Sequence, residues 1–84
     1  MPVRPEATPN PNAMKFTVGS PVGGPATYVA GGDVADPLAA ELLALDGAVS
    51  VFMTADFVTV TKSPDADWET LLPLCVGVVT RHAG

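Results

Sequence analysis

The chain is poor in the side chains that bind metal ions or act in catalysis. Its 84 residues include one cysteine, Cys75, and one histidine, His82. A lone cysteine excludes an intrachain disulfide, and the two side chains together are too few for a metal centre built from four cysteine or histidine ligands. No serine, threonine or cysteine is spaced beside a positioned base either. We therefore expect no metal site, no cofactor and no enzyme activity in this chain.

Basic residues and long apolar runs are also scarce. Four Lys and Arg residues stand against nine Asp and Glu residues, which gives a net charge of −5. This balance opposes nonspecific binding to nucleic acids or to anionic membranes. The longest apolar run, residues 71–79, is broken by Pro73 and is far shorter than the roughly 18 residues of a spanning helix. No apolar segment follows Arg4, so a signal peptide is not expected. We expect a cytoplasmic protein that binds neither nucleic acid nor membrane.

The remaining composition is that of one globular domain. Hydrophobic residues make up 48% of the chain and charged residues 15%, which is typical of a folded domain of two layers. We treat residues 1–84 as a single domain with an extended, proline-rich leader over 1–13. Within the leader, Asn10 and Asn12 can bond to their own backbone, so residues 9–12 are predicted to form a defined turn. A disordered leader is the alternative.

Four segments have the alternation or the β-branched content of strands. They are Met14–Val18, Ala26–Ala30, Val49–Phe52 and Val58–Thr61. Turn formers over Gly19–Pro25 separate the first two segments. The last two are separated by residues 54–56, which predicts a hairpin with a three-residue or slightly longer loop.

The first helix is predicted over residues 37–46. Asp36 is a suitable N-cap and Pro37 suits the first helical position, where its missing N–H costs nothing. Apolar residues recur with helical spacing from Leu38 onward. Gly47 is predicted to supply the left-handed residue that ends the helix.

The second helix is predicted over residues 66–82, with Asp65 and Asp67 competing for the N-cap. Pro73 removes one hydrogen bond within it and could kink it. Cys75 lies in the middle of the apolar stripe, so we expect it to pack in the core as a small hydrophobic residue. His82 is expected to be a solvated residue near the helix C-terminus.

This order of elements predicts an α+β fold of two layers. Two helices, each with one apolar stripe, would lie on one face of a four-stranded, mainly antiparallel sheet in the order β-β-α-β-β-α. The residues expected to face the helices are Val49, Val51, Val58 and Val60. By alternation, the opposite face would carry Lys15, Thr17, Ser50, Phe52, Phe57, Thr59 and Thr61. Two phenylalanine rings on an open face need a cover. Either a partner protein or the leader could provide it.

Several blocks of the sequence resemble a known family, the amino-terminal domain of the Nfu/NifU-like iron–sulfur scaffold proteins. The blocks are residues 8–16 (TPNPNAMKF), 36–39 (DPLA), 45–52 (LDGAVSVF) and 56–62 (DFVTVTK), together with Trp68. They occur in the same order as in the family and span about residues 6–82. The resemblance implies a two-layer α+β domain and an association with iron–sulfur cluster assembly. In full-length members the cluster is held by a Cys-x-x-Cys motif in a separate carboxy-terminal domain, a motif that this sequence lacks.

The leading hypothesis is therefore a non-catalytic interaction module that contacts an iron–sulfur assembly protein or a client protein, and is not itself a cluster scaffold. The candidate partner-binding residues are Asn10, Asn12, Lys15, Phe52, Phe57, Thr59 and Lys62. The alternative is a domain that binds a small anionic ligand or a phosphopeptide, in which Lys15 and Lys62 would bracket the anion.

Overall fold

A computed structural model describes residues 4–18, 25–32 and 34–83 of the chain. Its elements in chain order are β1 (Arg4–Ala7), β2 (Ala13–Thr17), β3 (Ala26–Val29), α1 (Pro37–Leu43), β4 (Ala48–Thr54), β5 (Phe57–Lys62) and α2 (Trp68–Ala83). The fold is α+β, as predicted. The predicted turn between the first two strands falls on residues 19–24, outside the described residues.

Within the described residues, the sheet has five antiparallel strands in the order β1-β2-β5-β4-β3, where the sequence predicted four. The extra strand, β1, lies in the predicted leader and pairs with β2 at the edge of the sheet. Its sequence, Arg-Pro-Glu-Ala, has no β-branched residue and contains a proline, so no strand signal was visible.

The hydrogen-bond pattern explains why Pro5 is compatible with a strand. Val18 N–H donates to the carbonyl of Asp56, and Lys62 N–H donates to the carbonyl of Asn12. Even-numbered residues of β2 therefore bond to β5, and odd-numbered residues face β1. Pro5 is opposite Phe16, an even-numbered residue. The missing N–H of Pro5 thus falls where the ladder does not require a donor.

The β4–β5 hairpin is tighter than predicted. Thr54 pairs with Phe57, so only Ala55 and Asp56 form the turn. Ala55 has a φ of 50°, in the left-handed region that favours glycine. The hairpin is fixed by its strands rather than by a favourable turn sequence.

Helix α1 begins as predicted and ends early. The Asp36 carboxylate accepts hydrogen bonds from the backbone N–H groups of Leu38 and Ala39, at 2.9 and 3.1 Å. The helix ends at Leu43 with Ala44 as its C-cap. Gly47 does have a positive φ, of 98°. It lies in the connection to β4 and not at the helix end, so its predicted role as the helix cap was wrong.

Helix α2 begins at Trp68, two residues later than predicted. Asp67 Oδ1 accepts a hydrogen bond from Glu69 N–H at 3.0 Å, which makes Asp67 rather than Asp65 the N-cap. The helix continues through Pro73 to Ala83. At its end, Arg81 and His82 both contact Glu41 of α1, at 2.8 and 3.3 Å. His82 therefore has a carboxylate neighbour, which the sequence did not indicate.

The core lies between the sheet and the two helices. Its largest fully buried side chains are Phe16, Leu42, Leu71, Val51, Val58, Val60, Val79 and Cys75. Three of the four valines predicted to face the helices are therefore buried. The fourth, Val49, is 43% exposed. The register shifts between Ala48 and Ser50, and this irregularity leaves Val49 out of the alternating pattern.

We predict that Ala55→Gly stabilises the domain and that Gly47→Ala destabilises it. Glycine relieves the left-handed strain at position 55, for a gain of about 0.5 to 1 kcal/mol after its larger unfolded-state entropy is included. At position 47 the backbone φ is 98°, which strains any residue other than glycine, and an added Cβ would lie 2.8 Å from the Ala66 Cβ. Urea unfolding of both variants measures the two effects. A destabilised Ala55→Gly variant would contradict the strain at this turn.

Candidate functional site: the open face of the sheet

The sheet face that points away from the helices carries the residues that alternation predicted. Strand register aligns Phe52 with Thr59 and Thr59 with Lys15, while Phe57 is opposite Thr17. Opposed residues in an antiparallel sheet project to the same side. We call this surface the open face and define it by Glu6, Lys15, Thr17, Thr27, Val29, Ser50, Phe52, Thr54, Phe57, Thr59 and Thr61.

Three side chains form a cluster on the open face. The ring centroids of Phe52 and Phe57 are 6.4 Å apart, with an interplanar angle of 53°, a favourable tilted geometry. The ammonium of Lys15 lies 4.5 Å from the centroid of the Phe57 ring, within the range of a cation–π contact. Phe52 remains 36% exposed and Phe57 is half-buried. The cluster is therefore ordered by internal contacts and still accessible to a partner.

The described part of the leader does not cover these rings. Residues 4–7 form β1, which extends the sheet beside β2. In the sheet order, β2 lies between β1 and β5, the strand that carries Phe57. The interpretation of the aromatic residues as core beneath a folded-over leader is thus wrong for residues 4–7.

The proline-asparagine segment forms the predicted turn, and its polar groups are used inside the protein. Asn12 N–H donates to the Asn10 side-chain oxygen at 2.9 Å. Ala13 N–H donates to the Asn10 carbonyl at 3.0 Å. The hydroxyl oxygen of Thr8 lies 2.9 Å from the Asn10 carbonyl and 3.0 Å from the Ala13 carbonyl. These bonds give Asn10 a structural role within the turn.

Lys62 lies on the opposite side of the sheet from Lys15. It follows Val58 and Val60 at alternate positions of β5, so it shares their helix-facing side, and it is 9% exposed. Its ammonium donates to the Asn12 side-chain oxygen at 3.1 Å and to the Ser63 carbonyl at 3.3 Å. Lys15 and Lys62 therefore cannot bracket one anion, and that expectation was wrong.

Trp68 completes the anchoring of the turn. Its indole N–H donates to the carbonyl of Pro11 at 3.1 Å, across 57 positions of sequence. Helical spacing places Trp68 on the same face of α2 as Leu72 and Cys75, and this pattern does not indicate a hydrogen bond to the turn. The family resemblance was the one indication that the turn and Trp68 are related, because it includes both residues 8–16 and this tryptophan.

The seven predicted partner-binding residues thus separate into two groups. Lys15, Phe52, Phe57 and Thr59 lie together on the open face. Asn10, Asn12 and Lys62 belong to the turn and its anchor, and their polar groups bond within the chain. Only the first group presents an arrangement suited to contact another molecule.

The side chains of this chain do not fit an iron–sulfur cluster. A cluster is typically held by four thiolates, and the single thiol here, on Cys75, is completely buried. Burial raises its pKa from 9.0 to about 11, because desolvation disfavours the thiolate. Among the described residues, no group of three or more His, Cys, Asp or Glu side chains could hold a metal ion. The acidic side chain of Asp67 instead caps α2.

Comparison with known proteins gives the same family as the sequence blocks. Residues 3–84 match the family described as "Scaffold protein Nfu/NifU N terminal". The chain belongs to this family. It is similar to NifU-like protein 5, mitochondrial, of Arabidopsis thaliana, with 42% identity over 92% of the chain. It is also similar to the human mitochondrial NFU1 iron-sulfur cluster scaffold homolog, with 39% identity over 84% of the chain.

These relatives are much longer proteins. The chain spans 29% of the plant protein and 30% of the human protein. Solved structures of similar length also match this Nfu/NifU amino-terminal domain. The crystal structure of SAV1430 from Staphylococcus aureus has a TM-score of 0.78 and 33% identity, covering 93% of this chain and 98% of the other. The family therefore has support from both sequence and structure, and the fold has support from the structural match. No helix among the described residues is long and apolar enough to span a membrane.

We predict that Asn12 and Lys62 are energetically coupled. Asn12→Ala removes one of the two acceptors that contact the buried ammonium, and should cost about 1 to 3 kcal/mol. In a Lys62→Met background the same change should cost less, because no ammonium remains to be satisfied. Urea unfolding of the double-mutant cycle measures the coupling. Lys15→Met, on the opposite face, is the control and should be additive with Asn12→Ala. If the changes in unfolding free energy were additive in both cycles, the predicted coupling between Asn12 and Lys62 would be contradicted.

A second prediction concerns pH. The pKa of the Cys75 thiol is about 11 in the folded protein and 9.0 in the reference state. The folded protein holds this proton more tightly, so the associated stability is complete below pH 9 and is lost as pH rises toward 11. The difference in unfolding free energy between wild type and Cys75→Ala should therefore shrink over that range. A difference independent of pH would contradict the burial of the thiol.

Proposed function

We propose that this chain is a non-catalytic protein-interaction module of iron–sulfur cluster assembly, which contacts an assembly or client protein through the open face. The observation that carries the proposal is the Lys15, Phe52 and Phe57 cluster. It places the exposed ring of Phe52 beside Phe57, whose ring contacts the ammonium of Lys15. Threonine and serine side chains surround this cluster on the open face. Aromatic residues are enriched at the centres of protein interfaces, and their burial supplies much of the binding energy there.

The association with iron–sulfur assembly is supported by family membership. The human relative is named an iron-sulfur cluster scaffold homolog. That name describes a longer protein, and this chain covers 30% of its length. The buried thiol of Cys75 does not suit this chain to hold a cluster. Family membership and the buried thiol are both consistent with a chain that serves cluster assembly by contacting a cluster-carrying protein.

The open face also has the order that a docking surface needs. The cation–π contact and the aromatic pair restrict the side chains of Lys15, Phe52 and Phe57 before any partner arrives, which lowers the entropy cost of binding. Thr59 and Thr61 extend the surface along β5 and supply hydroxyl donors and acceptors. We expect an apolar contact centred on Phe52 and surrounded by polar contacts.

The proposal is tested by NMR titration of the isotopically labelled chain with the cluster-loaded Cys-x-x-Cys domain of a full-length family member. We expect saturable shifts centred on Phe52, Phe57 and Thr59. Phe52→Ser/Phe57→Ser should fold, because neither ring belongs to the buried core, and should bind at least about tenfold more weakly, since two anchors are lost.

Two further variants keep this test decisive. Lys15→Glu changes the charge of the open face and retains both rings, so it reports on the surface even if the double variant is unstable. Leu74→Ser removes an apolar side chain that is 47% exposed on α2, away from the sheet, and should bind as wild type. Shifts centred on α2, or binding that persists in both open-face variants, would contradict the proposal. Shifts at Lys15 with inorganic phosphate alone would favour the anionic-ligand alternative.

A further inference from the structure

Strand β1 is held to the domain by its backbone rather than by packing. The side chains of Pro5, Glu6 and Ala7 are all exposed. The strand pairs with β2. Three exposed side chains contribute little of the apolar burial that is the main source of stability in a sheet.

Over the described residues, the ladder between β1 and β2 is also short. Because even-numbered residues of β2 bond to β5, Lys15 and Thr17 are the β2 residues of this part that direct backbone groups toward paired positions of β1, opposite Glu6 and Arg4. The next odd-numbered residue, Ala13, directs its carbonyl toward the Thr8 hydroxyl. Along the part of the edge that the structure describes, the hydrogen bonds are thus divided between a ladder of two pairs and a contact from the Thr8 side chain.

The turn that follows β1 is fixed independently of it. Pro11 is bonded to the Trp68 indole, and Asn12 is bonded to both the backbone and the ammonium of Lys62. None of these bonds involves residues 4–7. Separation of β1 from the sheet would therefore leave the turn, β2 and the core in place.

We propose that β1 is a displaceable edge strand, and that the outer edge of β2 accepts an extended segment of a partner protein in its place. Such strand addition uses the backbone groups of Lys15 and Thr17, which any extended segment can satisfy. This site is the edge of the sheet rather than the open face, so the inference does not depend on the docking role proposed above.

The structure also indicates the chemistry of the incoming segment. Residue 6 lies opposite Lys15 on the open side of the sheet, and the chain places a glutamate there. Opposite charges at directly paired positions favour the pairing. Residue 5 needs no N–H, because the backbone N–H and carbonyl at this position point away from β2. The matching segment is therefore extended, carries a carboxylate opposite Lys15 and tolerates proline at the preceding position.

Hydrogen exchange on the intact wild-type chain tests the displacement of β1. Amides of Lys15 and Thr17, which face β1, should exchange at least about tenfold faster than those of Met14 and Phe16, which face β5. Adjacent residues of one strand thus serve as their own control. Equal protection at all four amides would overturn the proposal, because β1 would then open only with the rest of the sheet.

A full-length Glu6→Pro variant tests the acceptor site, since it removes the backbone donor of residue 6. This variant should remain folded, with exchange at Lys15 and Thr17 faster than in wild type and exchange at Met14 and Phe16 unchanged. Glu6→Ala, which keeps the N–H, is the matched control and should keep the wild-type exchange pattern. A peptide with the sequence of residues 1–7, added at millimolar concentration to the Glu6→Pro variant, should shift the Lys15 and Thr17 amides saturably.

The same peptide with Glu6→Lys should bind more weakly, because it places a cation opposite Lys15. Unfolding of the Glu6→Pro variant, no response to the wild-type peptide, or equal responses to the two peptides would each overturn the proposal. Shifts centred on Phe52 would show that the peptide binds the open face and not the edge. A concentration-dependent dimer of the wild-type chain with the fast-exchange pattern would assign the edge to a second copy, also against the proposal.

Discussion

The structure depends on the alternation of side chains along β5, the central strand of the sheet. Val58 and Val60 point to the helices and are completely buried. Phe57 and Thr59, between and beside them, point to the open face. Because the side-chain period of a strand is two, a shift by one residue would exchange the core for the surface. Burial of the valines therefore determines which residues another protein can reach.

This separation has a chemical consequence. The only thiol, on Cys75, is on the helix side and lies in the core, where desolvation raises its pKa to about 11. The accessible cluster of Lys15, Phe52 and Phe57 contains no thiol, imidazole or carboxylate. The reactive group is thus inaccessible and the accessible groups are suited to contact. We regard the domain as a sheet that presents a contact surface, while the proline-asparagine turn is bonded to Lys62 and Trp68 within the chain.

Sequence reasoning was successful where the determinants are local. The Asp36 cap and the side-chain alternation of β5 depend on neighbouring residues, and both were confirmed. The role of Lys62 depends on Asn12, which is 50 positions away, and no periodicity relates the two. Strand β1 was missed because a proline normally argues against a strand. Pro5 is compatible with one only because the N–H at its position would not face β2, which the sequence does not show. Val49 was misplaced because a register shift leaves no signal in the sequence.

We propose that this chain takes part in iron–sulfur cluster assembly only through contacts with other proteins. The most direct test is the iron and sulfide content of the isolated chain after anaerobic reconstitution, for wild type and for Cys75→Ala. We predict no stoichiometric cluster on either protein, since four thiolates are typically needed and the one available is buried. A stoichiometric cluster on the wild-type chain that is lost in Cys75→Ala would contradict the account.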